Sequence, residues 1–181
     1  MKRNVTAVAG LIFGLMTAST LEAQEARPVQ FGLGAGLTLP SGDLGDFFDN
    51  GYHFQGMLGF KAPMFPVGLR LDVMYHTMEA SDVNDVSLNS LAGTLNAMFE
   101  MGGMMASPYL TGGLGVYNLK IDVEGTDEDF DLDETKMGLN GGAGIKFNLA
   151  GFNTFLEARY HHILTEDEAT KLIPITFGIM F

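Results

Sequence analysis

The chain has no cysteine and no tryptophan among its 181 residues, and only 10 Lys and Arg against 22 Asp and Glu. Without cysteine there is no disulfide scaffold, no thiolate metal site, no cysteine nucleophile and no lipid anchor on a cysteine. A net charge of −12 with so few cations excludes nucleic acid as a partner, because phosphate binding needs clustered Lys and Arg. Charge of either sign is scarce, 18 % of residues where a soluble domain carries ~25 %. What the chain has instead is glycine, 24 residues of 181 against a usual ~7 %, within a hydrophobic content of 46 % that is too high for disorder. Its length suits one domain with a sizeable core.

The first segment reads as an address. Lys2 and Arg3 precede an uncharged, mostly apolar stretch from Val5 to Ala18, followed by Ser19, Thr20 and Leu21-Glu22-Ala23. A charged start, a short apolar stretch and small residues at a cleavage zone make a secretory signal peptide over 1–23. Ala26 is a second candidate cleavage position. The apolar stretch falls short of the ~20 residues that a membrane helix needs. Cleavage after Ala23 leaves a domain of residues 24–181 with 8 basic and 21 acidic residues.

That domain shows period-2 alternation and no sustained helical period. Ile173, Ile175, Phe177, Ile179 and Phe181 share one face of the last segment, opposed by Pro174, Thr176, Gly178 and Met180. The same pattern runs through Val29–Leu39, Val67–His76 and Lys136–Leu149, and less cleanly through Tyr52–Ala62, Ser90–Met101, Tyr109–Val123 and Thr154–Leu164. In Tyr109–Val123 the parity changes near Val116–Asn118, which reads as a bulge or as the exit from an apolar layer. Eight strands of roughly ten to twelve residues exceed the ~5–6 residues of soluble sheets. Tilted near ~40°, eleven residues rise about 28 Å, close to the ~25 Å apolar band of an outer-membrane barrel.

The connections separate by parity. Those after the first, third, fifth and seventh strands (40–50, 79–89, 124–135, 165–170) are generally long and, with their strand ends, hold 17 of the 22 acids. Those after the second, fourth and sixth (63–66, 102–107, 150–153) are short and contain no Asp or Glu. Long charged loops at one end and tight turns at the other are the layout of a transmembrane barrel. A secreted soluble sandwich has no reason to sort its loops this way. The expected fold is therefore all-β: an eight-stranded antiparallel up-and-down transmembrane β-barrel, a meander.

Together these features resemble the small eight-stranded outer-membrane β-barrels of the OmpA/OmpX-like group. The resemblance rests on the signal peptide, the eight alternating segments, Pro108-Tyr109-Leu110-Thr111-Gly112-Gly113-Leu114-Gly115, Glu157-Ala158-Arg159-Tyr160 and the terminal Phe181. It implies a place in the bacterial outer membrane, with membrane lipid and lipopolysaccharide as neighbours and a single copy as the working unit. It also implies that Ile173, Ile175, Phe177, Ile179 and Phe181 are read by the outer-membrane insertion machinery. It supplies no activity, since this fold hosts adhesins, anchors and a few enzymes.

In a membrane the polar face turns inward. That face carries Lys61, Arg70, Asp72, Glu100, Lys146, Glu157 and Arg159, with Asn96 and Asn140. Four cations meet three anions, and they must pair because unpaired buried charge is very costly. Arg70 with Asp72, and Glu157 with Arg159, share a face at i, i+2. Gly32, Gly34, Gly36, Gly59, Gly68, Gly138, Gly142, Gly144 and Gly178 leave room for the long side chains. Tyr52, Tyr75 and Tyr160 fall toward the loops and Phe60, Phe65, Phe99 and Phe152 toward the turns, as two aromatic belts would.

Other constellations are weaker. Gly32-Leu33-Gly34-Ala35-Gly36 lacks the spacing of a nucleotide loop and no helix follows it. His53, His76, His161 and His162 invite an acid–base or metal reading, but His161 and His162 point to opposite faces of one strand. A lipid A deacylase would need a serine two residues from its histidine, where this chain has Ile163 and Leu164. The expectation is no catalytic residue, with a lipid-modifying enzyme or a small-ligand transporter as the alternatives. Asp127, Asp129, Asp131 and Asp133 alternate in the third long loop, lack the Gly and Glu of an EF-hand, and fit at most a weak Ca²⁺ or Mg²⁺ site at ~10⁻⁴–10⁻³ M.

Overall fold

The computed structural model describes residues 29–61, 67–81, 86–103, 105–123, 134–149, 151–165 and 169–181. The signal segment 1–23, Phe65 and the loop aspartates Asp127, Asp129, Asp131 and Asp133 lie outside these residues. The strands are β1 (Val29–Ser41), β2 (Gly51–Phe60), β3 (Val67–Glu79), β4 (Val86–Glu100), β5 (Ala106–Val123), β6 (Glu134–Asn148), β7 (Asn153–Ile163) and β8 (Thr170–Met180). Each pairs antiparallel with its neighbours in sequence, and β8 pairs with β1, so the sheet closes on itself without a free edge.

The pairing fixes the stagger. From Phe31 on β1 the directly opposed residues run Leu58, Leu71, Leu95, Leu114, Leu139, His162 and Lys171, and return to β1 at Ser41, ten residues further along. With strands about 4.8 Å apart and 3.3 Å per residue, that offset corresponds to a tilt of about 40°. The circuit also marks an outward leucine belt: Leu58, Leu71, Leu95, Leu114 and Leu139 are each about half exposed. Tyr52, Tyr75 and Tyr160 stand exposed toward the loop ends, and Phe60, Phe99 and Phe152 toward the turns. A large apolar surface facing out and ionised residues facing in is the reverse of a soluble barrel.

Several strands outrun the sequence-based bounds at the loop end, whereas β2 stops at Phe60, short of the expected Ala62. β4 starts at Val86 rather than Ser90, β3 runs to Glu79, and β5 has 18 residues. The β4–β5 ladder is unbroken from Val86↔Val123 to Glu100↔Tyr109, and β5–β6 is unbroken from Ala106↔Phe147 to Leu119↔Glu134. No bulge therefore interrupts β5. The parity change is its exit from the apolar layer: Leu110, Leu114 and Val116 face out, whereas Leu119 and Ile121 pack on the inside.

The first long connection contains one helical turn, α1 (Leu44–Phe47), where no helix was expected. Gly42, at φ 66°, reverses the chain, which is a conformation that favours glycine. The Asp49 amide then donates to Glu79 and the Ser81 amide to Phe47, tying this loop across the end of β3. Leu44 and Phe48 are thereby pressed onto an apolar cluster of Met74, Met78, Leu88, Ala92, Tyr117, Ile163 and Leu172 inside the loop end. A second inner cluster, Met57, Tyr109, Phe155 and Met180, fills the turn end. A Cβ on Gly178 would run into the Phe155 ring, and one on Gly144 into the Tyr109 ring, so lumen glycines accommodate aromatic rings. The interior is thus a polar layer between two apolar caps.

Candidate functional site in the barrel interior

The seven interior charges separate into two groups. Arg70 and Asp72 alternate inward on β3, and Glu157 and Arg159 on β7, which lies directly opposite because three strands separate the two either way round. Their side chains meet across the lumen. Arg70 Nη2 is 2.7 Å from Glu157 Oε1, and Arg159 Nη1 is 2.7 Å from Asp72 Oδ2. The within-strand contacts close the ring: Arg70 Nε to Asp72 Oδ1 at 2.8 Å and Arg159 Nε to Glu157 Oε1 at 2.9 Å. All four side chains have zero exposure, and the ring is neutral, two cations with two anions.

Other strands add partners to the ring, although Arg70 Nη1 has none among the described residues. Tyr109 OH donates to Glu157 Oε2 at 2.8 Å, Asn96 Nδ2 donates to Asp72 Oδ2 at 3.0 Å, and Arg159 Nη2 donates to Gln55 Oε1 at 2.9 Å. Charge-assisted bonds of this kind are the strong ones, and pairing of opposite charges makes buried ions tolerable. Lys61, Glu100 and Lys146 form the separate group at the turn end. Glu100 accepts from Lys61 at 2.5 Å and from Lys146 at 2.6 Å, with Lys61 about half exposed. Beside them is a recess of about 30 Å³, room for a water or two.

On the loop side of the ring lies a layer of histidines. Thr38 Oγ1 sits 3.0 Å from His53 Nδ1 and 2.8 Å from His76 Nδ1, while His53 Nε2 reaches Thr176 Oγ1 at 2.9 Å. His161 Nδ1 is 2.9 Å from Tyr117 OH, and its ring stands edge-on to that of His76, with centroids 6.2 Å apart. His162 points the other way, stacked on Tyr160. From the sequence, His53, His76 and His161 stand out as candidates, whereas the inward roles of Gln55, Tyr109 and Tyr117 were not anticipated. The signal was present for β2, where Gly51, His53, Gln55, Met57 and Gly59 alternate inward against Tyr52, Phe54, Leu58 and Phe60.

The central ring ties β3 to β7 across the lumen. Ser90, opposite His76 in the ladder, is the hydroxyl best placed for a nucleophile, yet it is fully buried and not bonded to the imidazole. No three His, Asp or Glu among the described residues form a group that could hold a metal. The C-terminal set Ile173, Ile175, Phe177, Ile179 and Phe181 lies on the outer face of β8 and past its end. There Phe181 exchanges backbone hydrogen bonds with Phe31 and stacks on its ring at 5.6 Å.

Comparisons agree with this architecture. The chain is similar to Neisserial surface protein A, NspA, with a TM-score of 0.69 and 16 % identity over 87 % of this chain and 98 % of that one. It is similar to Ail, the attachment invasion locus protein of Yersinia pestis, with a TM-score of 0.55 and 18 % identity over 84 % of this chain and 97 % of that one. The outer membrane enzyme PagL gives 0.52 and 15 % over 84 % and 98 %. At such identities these likenesses show the fold alone. A search of curated proteins finds no match. The model of the outer membrane protein beta-barrel domain, however, matches residues 9–181. A closed eight-stranded meander, apolar outside and ion-paired inside, thus has its family: the chain belongs to the outer-membrane β-barrel proteins and resides in the bacterial outer membrane.

Proposed function

We propose that this protein is a plugged, non-catalytic barrel serving as a structural or surface-interaction element of the envelope, with residues 1–23 removed on export. Its long acidic loops face outside and both termini face the periplasm. It works as a single copy among lipid and lipopolysaccharide, assembled by the insertion machinery through the outward face of β8. Nucleic acid and cofactors have no part in it. The observation that carries this reading is the Arg70–Glu157–Arg159–Asp72 ring, which spans the lumen with no exposed side chain. Eight strands leave an interior just wide enough for side chains, and here they occupy it. A role is then left to the loops and the outer wall, which are free of that packing duty.

Planar-bilayer recording tests the proposal. The purified barrel is expected to give no steady current, and stepwise, sustained conductance would overturn the plugged reading. The enzyme alternative has little support, because the fold shared with PagL brings no exposed Ser–His pair among the described residues: Ser90, His76 and His161 are all enclosed. The transporter alternative would require the ring to open.

A further inference from the structure

On the loop side of the ion ring, a layer of polar groups drawn from seven of the eight strands crosses the lumen. Thr176 on β8, His53 on β2, Thr38 on β1 and His76 on β3 form a chain. Its links are Thr176 Oγ1 to His53 Nε2 at 2.9 Å, His53 Nδ1 to Thr38 Oγ1 at 3.0 Å, and Thr38 Oγ1 to His76 Nδ1 at 2.8 Å. From the opposite wall, His161 on β7 is joined through Nδ1 to Tyr117 on β5. The two pieces end at three atoms. His76 Nε2, His161 Nε2 and Ser90 Oγ have no hydrogen-bond partner, and all three residues have zero exposure. Ser90, on β4, opposes His76 directly in the ladder. Each of these atoms carries its desolvation penalty with no bond in exchange.

The chain has a definite polarity. Thr38 has one hydroxyl hydrogen, so it donates to one of its two Nδ1 neighbours and accepts an N–H from the other. In their uncharged forms His53 and His76 are therefore opposite tautomers. Whichever way round they stand, His76 Nε2 ends the chain as a bare acceptor or as an unmatched donor. A direct bond to His161 cannot complete it. The ring centroids are 6.2 Å apart. A ring nitrogen lies about 1.2 Å from its centroid, so the Nε2 atoms are at least about 3.8 Å apart, beyond the ~3.2 Å of a hydrogen bond. A molecule that both donates and accepts can span that distance. The four charges of the ring below already cancel, so a metal cation on the imidazoles would be left uncompensated. Water is neutral, and three polar partners suit a buried one. We propose that one water molecule is bound between His76 Nε2, His161 Nε2 and Ser90 Oγ, closing a proton relay from Thr176 to Tyr117. Along it a proton moves between opposite walls of the barrel without bulk solvent. Each hop breaks one N–H or O–H bond as the next forms, and reverses the hydrogen bond it crosses.

The test uses the full barrel in detergent micelles, labelled with ¹³C and ¹⁵N at histidine and read by nuclear magnetic resonance. The ring protons of His76 and His161 are both expected to show Overhauser transfer from one long-lived water. The ¹⁵N shifts are expected to give His53 and His76 opposite tautomers. Ser90→Val puts methyl groups where the water sits and is expected to lose the water signal. Ser90→Ala removes one partner without filling the site and is expected to shorten the residence of the water. Ser87→Val, at an outward position of β4, is expected to change neither. No long-lived water in the unmodified barrel, or an unchanged signal in both Ser90 variants, overturns the site. The same tautomer at His53 and His76 overturns the relay. Elemental analysis of the same sample reads the other occupant, and one transition-metal ion per chain would overturn the water.

Discussion

The lumen and the outer wall are built by the same eight strands in alternate positions, yet they follow opposite packing rules. In the lumen the four charged side chains of the central ring have specified partners. Arg159 alone touches Asp72, Glu157, Gln55 and Met74. On the wall, the exposed half of Leu95 or Leu114 faces fluid hydrocarbon, which accepts any apolar shape. One residue's step along a strand thus moves a side chain from a site of fixed geometry to one of mere polarity. The difference teaches where substitutions are felt: by identity inside, by charge outside.

The largest effect is expected from opening the ring. Arg159→Met leaves Asp72 and Glu157 with one cation between them, and removing one member of a buried network costs ~3–5 kcal/mol. Urea unfolding in vesicles should show that loss, and a second change of Asp72 to Asn should recover part of it. Next, Leu95→Arg places a charge in the middle of the apolar wall, at a cost of ~2–4 kcal/mol near the bilayer midplane, against a near-neutral Leu95→Val. The same urea series checks both. The smallest effect comes from a pair of glycines. Gly36→Ala drives a methyl toward the Ile175 carbonyl, which is backbone and cannot yield, so ~1–3 kcal/mol is expected. Gly56→Ala on the wall meets nothing and should stay within ~0.5 kcal/mol. Equal losses at Gly36 and Gly56 would erase the distinction between the faces.

Much of the wall was legible in the residues because a two-residue period and loop parity are local signals. The alternation of Val67 to Tyr75, or of Ile173 to Phe181, needs no knowledge of the neighbours. The inward charges were legible for the same reason. Their partners were not. Arg70 and Glu157 lie 87 residues apart and meet only because eight strands close with a particular stagger. The split of Lys61, Glu100 and Lys146 from the central ring likewise depends on that stagger. The apolar caps were hidden because Met74, Met78 and Tyr117 occupy positions of polar parity, where a membrane argument expects hydrophilic side chains. The turn of helix at Leu44–Phe47 is too short to have a period, and it is held by contacts with the end of β3.

The seam between β1 and β8 has a consequence for the order of assembly. Seven of the eight ladders join strands adjacent in sequence, each a hairpin whose ends are close before it forms. The eighth joins Gly32 to Met180 and Ser41 to Lys171, nearly the whole length of the domain. Loop-closure entropy makes such a pairing late and slow. The barrel therefore passes through a curled, open sheet whose two edges carry unpaired amides and carbonyls, a species hydrocarbon penalises severely. Kinetic vulnerability is concentrated in that interval, so whatever shields the two edges governs how much chain reaches its destination.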